Sequence, residues 1–311
     1  MISAVIPVFN EEESLDKFYP RLKDALIKID PNHEIIFIDD GSTDSSLEIL
    51  KKLLPKDKSV KVFSFRRNQG KSEALTYGFR VANGEHIVTL DADLQDRPEE
   101  IENLLKRSNE GFDLVSGWRK NRKDAFYMKF PSKLFNFLMS AFWGVHLHDY
   151  NCGLKLYTKD AAKSLVLYGG MHRFIPLLVS EKGFEVTEIP VIHEPRKFGK
   201  SKYGFSKVFK DIPDMFTILF LTKYAKRPLH FFGLVGGVVG VIGFFILFYL
   251  SIIHFLGESI GTRPLLTFGM LLVLAGLQIL FAGFTADLII NLSEKGKTSK
   301  TLDDIIKYKS E

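Results

Sequence analysis

The chain has 311 residues, enough for one large domain or two smaller ones, and its single cysteine, Cys152, excludes an intrachain disulfide. Its formal net charge of +5 suits a protein that rests on anionic lipid better than a dedicated nucleic-acid binder, which would carry a basic patch on a recognisable module. The first residues, 1–6, lack the basic region that opens a signal peptide, so none is expected.

The first half of the chain alternates strand-like and helix-like patterns. Short apolar runs predict strands at Ile2–Phe9, Glu34–Ile38, Lys61–Phe65, His86–Leu90 and Asp113–Ser116. Amphipathic patterns between them predict helices at Ser14–Ile29, Ser45–Leu54, Ser72–Val81 and Glu99–Asn109. This order predicts an α/β fold with a mostly parallel, doubly wound sheet and helices on both faces. In such sheets ligands bind outside the carboxyl ends of the strands.

Polar residues concentrate where the predicted strands end. They occupy segments 7–12, 39–42, 66–71 and 91–95. Acids, amides and cations from successive strand ends are therefore expected at one edge of the sheet. A single acidic pair after a strand is often only a helix cap, but a series of such segments in this register indicates a binding site.

The sharpest local motif is the pair of acids that follows the fourth strand, Asp91 and Asp93. Mg²⁺ usually takes one or two protein carboxylates and completes its shell with water and substrate phosphates. The pair therefore predicts a site for a metal and a ribose, with Gln95 adding an amide oxygen. The next residues are interpreted structurally: Asp96 caps a helix, and Pro98 lies in its first turn.

Two further strand ends carry candidate groups for a nucleotide. Asp39 and Asp40 can accept hydrogen bonds from a base or a ribose. Arg66 and Lys71, beside Gly70, can face a diphosphate; the alternative is a solvated basic turn. The fingerprints G-x-G-x-x-G and G-x-x-x-x-G-K-[ST] are absent from the sequence, which argues against a dehydrogenase and a P-loop ATPase.

The second half of the chain contains long apolar stretches. Segments 125–145 and 203–224 place lysines such as Lys129 on otherwise apolar helices, which predicts interfacial helices in the headgroup plane; ordinary core-facing helices are the alternative. Leu229–Gly257 and Pro264–Ala286 contain no Asp, Glu, Lys or Arg. Each exceeds the roughly 20 apolar residues that cross a bilayer. Two transmembrane helices are therefore expected, rather than a hairpin buried in a soluble core.

Positive charges flank both predicted spans on the same side. They are Lys223, Lys226 and Arg227 before the first span and Lys295, Lys297 and Lys300 after the second. The large N-terminal domain and both termini are therefore expected on the cytoplasmic side of a cytoplasmic membrane. The expected domains are a catalytic domain at 1–202, a juxtamembrane helix at 203–227, the transmembrane pair at 228–292 and a cytoplasmic tail at 293–311, ending in a short helix at Thr301–Glu311.

In combination, these motifs resemble the family 2 glycosyltransferases of the GT-A fold, whose core is a Rossmann-like sheet. The segments that carry the resemblance are Pro7–Glu12, Asp39–Ser42, Asp91–Gln95 and Arg196–Tyr203. Within the family, the chain is similar to the polyprenyl-phosphate branch, which includes dolichyl-phosphate mannose synthases and bactoprenol glucosyltransferases. The similarity covers nearly the whole chain, including the paired C-terminal spans.

The resemblance assigns roles to individual positions. The expected nucleotide-sugar site consists of Pro7, Val8, Asn10, Glu11, Asp39, Asp40, Arg66, Lys71, Asp91 and Ala92. The expected ligands of Mg²⁺ or Mn²⁺ are Asp91, Asp93 and Gln95, of which Asp93 and Gln95 are favoured. The expected acceptor-phosphate site consists of Arg119, Lys129, Arg196, Ser201 and Lys202. Asp149 completes the expected catalytic set of Asp91, Asp93 and Arg119; it orients a cation, acts as a weak base, or only forms a turn.

The reaction that this resemblance implies is transfer of a single hexose, with inversion, from a nucleotide-sugar to a polyprenyl phosphate. UDP-glucose is favoured as the donor over GDP-mannose. The Q-x-x-R-W motif of processive relatives is absent from the sequence, which favours one sugar per turnover. A non-catalytic membrane scaffold is the alternative from another class, and the intact acid pair argues against it. No nucleic acid is expected, and the resemblance is compatible with a homo-oligomer.

Overall fold

The computed structural model describes residues 1–120, 144–194, 217, 220–224, 227–261 and 263–309. The chain divides into two compact units, Met1–Asp214 and Met215–Glu311. The expected boundary near residue 202 lies outside the described residues and stays a prediction.

The first unit is built on one mixed sheet. Its strands are β1 (Ile2–Val8), β2 (His33–Asp39), β3 (Val60–Ser64), β4 (His86–Thr89), β5 (Leu114–Trp118), β6 (Lys155–Thr158) and β7 (Val186–Pro190). Within the described residues the strand order is β3-β2-β1-β4-β6-β5-β7. All pairs are parallel except those of β6 with β4 and with β5. The predicted, mostly parallel sheet is confirmed, but the sequence patterns did not predict the antiparallel strand β6 or the last strand, β7.

Helices cover this sheet because their apolar residues recur on one side. They are α1 (Glu12–Ile29), α2 (Ser46–Lys51), α3 (Lys71–Val81), α4 (Ile101–Ser108), α5 (Lys159–Ser164) and α6 (Ile175–Ser180). In α1, Leu15, Phe18, Leu22 and Leu26 repeat at helical spacing and are buried against the sheet core. Two short 3₁₀ helices, Pro98–Glu100 and Met171–Phe174, lead into α4 and α6.

The strand order creates a crevice beside β1. After β1 the chain moves to β2 and β3 on one side, and it then returns to place β4 on the other side of β1. The loops that follow β1 and β4 therefore diverge at a topological switch point, where open α/β sheets bind ligands. The polar segments 7–12 and 91–95 flank this crevice, as the sequence predicted.

The amino-terminal ends of the same strands carry an ion pair in which Glu34 is buried and 41% of the Lys61 side chain is exposed. The carboxylate of Glu34 accepts hydrogen bonds from Lys61 Nζ at 2.6 Å, from Ser3 Oγ at 2.5 Å and from the backbone N–H of Asn83 at 2.6 Å. Burial works to raise the pKa of Glu34, but these hydrogen bonds outweigh it and hold the pKa below its ordinary value. This pair stabilises the sheet at the end opposite the crevice.

The second unit contains the two long apolar helices, α7 (Pro228–Phe255) and α8 (Pro264–Lys309). Pro228–Phe255 and Pro264–Leu292 are long and apolar enough to cross a membrane. Large apolar side chains on both are exposed, including Leu234 at 69% and Phe281 at 62%, which contradicts the alternative of a hairpin buried in a soluble core. Residues 301–309 are helical, as expected, but they continue α8 without a break and do not form a short helix of their own.

Most of the two predicted interfacial helices lies outside the described residues. Residues 121–143 and 195–216 are not described, so the helix expected at 125–145 stays a prediction. Of the segment expected at 203–224, Phe220–Tyr224 forms a π-helical turn. The Phe220 ring packs against Phe232 of α7, with 5.7 Å between ring centroids.

Glycines allow α7 and α8 to approach closely. A Cβ atom on Gly276 would lie 2.6 Å from the carbonyl oxygen of Gly236 and 2.7 Å from the backbone nitrogen of Gly240. A Cβ on Gly243 would lie 2.9 Å from the carbonyl oxygen of Gly269. Such backbone contacts tolerate only a hydrogen atom, which is the usual basis of close helix pairing in membranes.

Replacing Gly276 with leucine is expected to separate α7 from α8 and to destabilise the second unit by about 1–3 kcal/mol or more, the scale of overpacking. The clash is with backbone atoms, which cannot move aside as a side chain can. Thermal unfolding of the full chain in detergent measures the effect. Gly237→Leu is the matched control because nothing lies within 4 Å of its added Cβ. Equal melting temperatures for the two variants would contradict the close glycine packing.

Candidate active site

The loop after β4 turns sharply and places Asp91 at the crevice. Leu94 has a left-handed φ of 62°, which is unusual for a side chain of this size, and its side chain is buried. The backbone N–H of Gln95 donates to Asp93 Oδ1 at 3.2 Å. Asp93 is buried, whereas 38% of the Asp91 side chain is exposed. The turn thus leaves Asp91 accessible beside a more enclosed Asp93.

Lys71 reaches the Asp91 carboxylate from the first turn of α3. Its ammonium donates a hydrogen bond to Asp91 Oδ1. Burial works to raise the pKa of Asp91, but the charge and hydrogen bond of Lys71, with smaller contributions from His172 and Lys155, hold it below its ordinary value. Asp91 is therefore a carboxylate at neutral pH, and it is paired with the ammonium of Lys71.

Asp40 holds the loop that delivers Lys71. Its buried carboxylate accepts hydrogen bonds from the backbone N–H groups of Gln69 at 2.7 Å and Gly70 at 2.9 Å, and from Asn68 Nδ2 at 2.9 Å. Gly70 has a φ of 108°, which favours glycine. Burial raises the pKa of Asp40 despite these backbone hydrogen bonds. The geometry gives Asp40 a loop-positioning role, and its predicted contact with a nucleotide stays a prediction.

The loops after β1 and β2 are tied together. Asn10, with a φ of 55°, accepts the backbone N–H of Thr43 at 2.8 Å, and its own N–H donates to Ser42 Oγ at 3.0 Å. Asp39 is buried and accepts Ser64 Oγ at 2.6 Å and the Ser42 N–H at 3.2 Å. The expected nucleotide-binding segments are therefore adjacent and interconnected.

Other residues of the expected nucleotide site differ in exposure. Pro7 and Glu11 are partly buried, and Arg66 is exposed at the end of β3. Val8 and Ala92 belong to the hydrophobic core, so their side chains support the loops. Any contact of these two residues with a nucleotide would have to be made by their backbone groups.

A small cavity lies under the Asp91 and Lys71 pair. It is lined by Pro7, Lys71, Leu75, Thr89, Leu90, Asp91, Asn151, Cys152, Gly153, Lys155, Tyr157, His172 and Ile175. Lys155 is buried; its ammonium donates to the carbonyl oxygen of Cys152, and burial lowers its pKa. His172 Nδ1 lies 3.0 Å from Ser72 Oγ at the start of α3. Sequence reasoning missed Lys155 because it lies in the unpredicted strand β6.

Gly153 makes room for the carboxylate of Asp91. A Cβ on Gly153 would lie 2.8 Å from Asp91 Oδ2 and 2.7 Å from Asp96 Oδ2. The Gly153 carbonyl accepts a hydrogen bond from Thr89 Oγ1 at 2.9 Å, which holds the glycine against β4. Only a residue without a side chain therefore leaves both carboxylates in place.

Asp96 does not cap a helix, so that part of the sequence interpretation is wrong. The 3₁₀ helix begins at Pro98 with Arg97 in the preceding cap position. Asp96 is buried, and its Oδ1 lies 3.4 Å from His193 Nδ1. A long-range contact with the residues after β7 has replaced the local hydrogen bond that the sequence suggested.

A second charged pair lies after β5. Arg119 donates from Nε to Asp149 Oδ2 at 2.6 Å and from Nη2 to Asp149 Oδ1 at 2.8 Å, and each side chain is 11% exposed. Burial works to lower the pKa of Arg119, but Asp149 outweighs it and raises the pKa. This bidentate geometry favours orientation of a cation among the expected roles of Asp149. The nearby thiol of Cys152 is inert at neutral pH, because burial raises its pKa to about 12.

Several expected acceptor residues cannot be placed. Lys129, Arg196, Ser201 and Lys202 lie outside the described residues. Of the expected acceptor-phosphate set, Arg119 is the described member, and its guanidinium is held at the end of β5.

The donor atoms at the crevice fit a hard divalent cation. Within the described ranges no three His, Cys, Asp or Glu side chains form a complete metal cluster. Mg²⁺ and similar ions need only one or two protein carboxylates when substrate phosphates supply other oxygens. Asp91 is ionised and partly exposed, and Gly153 keeps space beside it. Asp91, Asp93 and Gln95 therefore offer the oxygen chemistry that Mg²⁺ or Mn²⁺ takes.

Known proteins resemble this chain in sequence and fold. Residues 3–166 match the model of glycosyl transferase family 2. The dodecaprenyl-phosphate galacturonate synthase of Rhizobium johnstonii is 38% identical over 294 residues, which are 93% of this chain and 87% of that protein. The undecaprenyl-phosphate 4-deoxy-4-formamido-L-arabinose transferase of Salmonella choleraesuis is 35% identical over 291 residues, 93% of this chain and 88% of that protein.

A solved structure has the same fold at lower identity. Glucosyl-3-phosphoglycerate synthase of Mycobacterium tuberculosis, in complex with Mn²⁺, UDP-glucose and phosphoglyceric acid, superposes with a TM-score of 0.53 at 19% identity. The match covers 73% of this chain and 82% of that chain. The expected GT-A fold and the expected resemblance to polyprenyl-phosphate glycosyltransferases are both confirmed. With its family model, its relatives and its switch-point crevice in agreement, the chain belongs to glycosyl transferase family 2 and is a glycosyltransferase.

Proposed function

We propose that this glycosyltransferase moves a single sugar from a nucleotide-sugar to a polyprenyl phosphate at the cytoplasmic face of a membrane. The observation that carries the proposal is the ionised Asp91 beside Lys71 at the switch-point crevice. Two apolar helices in the same chain support an acceptor with its tail in a bilayer. The names of the relatives, a dodecaprenyl-phosphate synthase and an undecaprenyl-phosphate transferase, support the same acceptor class.

On the donor side, the loops at Asn10 and Asp39 would contact the nucleoside, and Lys71 would contact the diphosphate. Asp91, Asp93 and Gln95 would hold Mg²⁺ or Mn²⁺. A divalent ion bound there offsets negative charge on a departing diphosphate. Asp40 supports this arrangement by holding the loop before Lys71 in place.

On the acceptor side, Arg119 would bind the lipid phosphate, together with Lys129, Arg196, Ser201 and Lys202. A phosphate monoester has a second pKa of about 6 and is mostly ionised at neutral pH, so it needs no strong base before it attacks the sugar. This agrees with an Asp149 whose oxygens are engaged by Arg119. The enzyme's main task is to hold two anions in line despite their repulsion, in a single inverting displacement.

For the transferred sugar, the relatives' names favour a uronate or a formamido-arabinose over the glucose expected from the sequence. We place a galacturonate donor first because the synthase named for it is 38% identical over 93% of the chain. UDP-glucose and GDP-mannose remain the alternatives. The positive charges beside both spans support cytoplasmic termini and a cytoplasmic catalytic unit. A homo-oligomer is compatible with this arrangement.

A donor panel tests the proposal. The full chain in detergent is incubated with Mn²⁺, undecaprenyl phosphate and one of four labelled donors: UDP-galacturonate, UDP-4-deoxy-4-formamido-arabinose, UDP-glucose or GDP-mannose. Mass spectrometry of the lipid fraction should show one added sugar from one donor, and no product without undecaprenyl phosphate. Lipids with several added sugars would contradict single transfer. No product from any donor would favour the scaffold alternative.

A further inference from the structure

Lys71 occupies one oxygen of Asp91, a carboxylate that is expected to bind a divalent cation. Its ammonium is hydrogen-bonded to Asp91 Oδ1, and Asp91 is the more exposed acid of the Asp91 and Asp93 pair. A metal ion binds that oxygen less tightly while a second cation is bonded to it, because the two positive charges repel each other at such distances. In the protein without ligands, Lys71 therefore competes with the metal.

The backbone of Lys71 is held in place, whereas the charged ends of Lys71 and Asp91 are partly exposed. The backbone at Lys71 follows a loop that the buried carboxylate of Asp40 fixes through Gln69 and Gly70. At the tip, 31% of the Lys71 side chain and 38% of the Asp91 side chain are exposed. The long, flexible lysine side chain can therefore leave Asp91 for another anion without any movement of α3.

A diphosphate in the crevice offers such an anion. The nucleotide-binding loops and Asp91 meet at the same switch point, so a bound nucleotide brings its phosphates toward this ion pair. Phosphate oxygens attract an ammonium group at least as well as a carboxylate does, and they also coordinate the metal. Release of Asp91 and arrival of the metal then become linked events.

We propose that Lys71 couples donor binding to metal binding: it covers Asp91 in the free protein and moves to the diphosphate when the nucleotide binds, which frees Asp91 for the divalent cation. The proposal rests on the function proposed above. Because such coupling is reciprocal, the metal also strengthens nucleotide binding by the same factor. The metal site is complete only when a nucleotide is present.

A binding measurement with Lys71→Met tests this coupling. Mn²⁺ affinity is measured by electron paramagnetic resonance on the full chain in detergent, without nucleotide and with saturating UDP, with GDP in a parallel series. Without nucleotide, Mn²⁺ is expected to bind Lys71→Met at least about tenfold more tightly than the wild-type chain, since the competing charge is gone. With nucleotide the two proteins should differ by less than about threefold, because Lys71 has then left Asp91.

Lys61→Met is the matched control, because it removes a lysine paired with a carboxylate at the opposite edge of the sheet. Its Mn²⁺ affinity should equal that of the wild-type chain in both conditions. Equal affinities of Lys71→Met and wild type without nucleotide would overturn the proposal. A gain of the same size with and without nucleotide would also overturn it, since that indicates only a distant charge effect. If no donor in the panel gives a product, the proposed function is wrong. That result comes from the transfer assay, which is separate from the Mn²⁺-binding measurement.

Discussion

Replacing Asp91 with asparagine is expected to lower sugar transfer by at least about a hundredfold, the scale seen when one electrostatic partner of a transition state is removed. The substitution keeps the shape of the side chain but removes the charge that Lys71 now satisfies and that a cation requires. Folding should change little, because the side chain is partly exposed, at 38%, and the variant keeps its shape. Product formation on undecaprenyl phosphate and the melting temperature measure the two effects separately.

Asp113→Asn is the control for that experiment. Asp113 precedes β5, where its carboxylate accepts Thr158 Oγ1 at 3.1 Å and the backbone N–H of Glu185 at 3.0 Å. It is a structural acid outside the crevice, so its variant should keep transfer within about twofold of wild type, as substitutions away from special features usually do. Near-normal turnover by Asp91→Asn would show that Asp91 is not a catalytic residue.

Replacing Gly153 with alanine is expected to reduce transfer by about tenfold to a hundredfold, as loss of a supporting contact around a metal site does. The added methyl group would lie 2.8 Å from Asp91 Oδ2 and 2.7 Å from Asp96 Oδ2, so the carboxylates must move. Stability should change little, because the groups that must move are the ends of side chains and Gly153 has no left-handed φ. Transfer and Mn²⁺ affinity should fall together while the melting temperature stays within a few degrees.

Two other glycines provide the comparison. Gly237→Ala adds a methyl group where nothing lies within 4 Å, so transfer and stability should both be unchanged. Gly117→Ala adds a methyl group 2.9 Å from Cys152 Sγ and 2.9 Å from Val191 Cγ2. Because this group clashes with core side chains, the variant should have a lower melting temperature. If Gly153→Ala behaves like Gly117→Ala, then Gly153 serves packing and its role at the carboxylates is wrong.

Local patterns determined most of the first sheet. The strands and helices up to residue 118 were predicted to within a few residues, because alternation of apolar runs and amphipathic helices is a property of neighbouring residues. The antiparallel strand β6 and the last strand, β7, were both missed. The short run of β6, Lys155–Thr158, begins with a lysine, a residue that does not predict a buried strand. In the structure this lysine is buried, because β6 lies between β4 and β5. Local periodicity does not predict which distant segments of the chain pair as strands.

The residue types at the candidate active site were expected from the sequence, but their contacts were not. The acids at 91 and 93 and the lysine at 71 were expected near one sheet edge, since the carboxyl ends of parallel strands meet there. Only the tertiary structure showed that Lys71 pairs with Asp91 and that Asp40 holds the loop before α3. It also showed that Asp96 makes a buried contact with His193 and does not cap a helix.

By itself, therefore, the sequence determined the family, the kind of sheet and the two apolar helices, and it predicted the sheet edge at which the candidate site is placed. The tertiary structure decided which charges meet, and that Gly153 must be small because two carboxylates from the loop after β4 converge on it. The physical reason is one of range. Propensity and periodicity act between residues a few positions apart, whereas the electrostatics of the site depends on contacts between segments far apart in the chain.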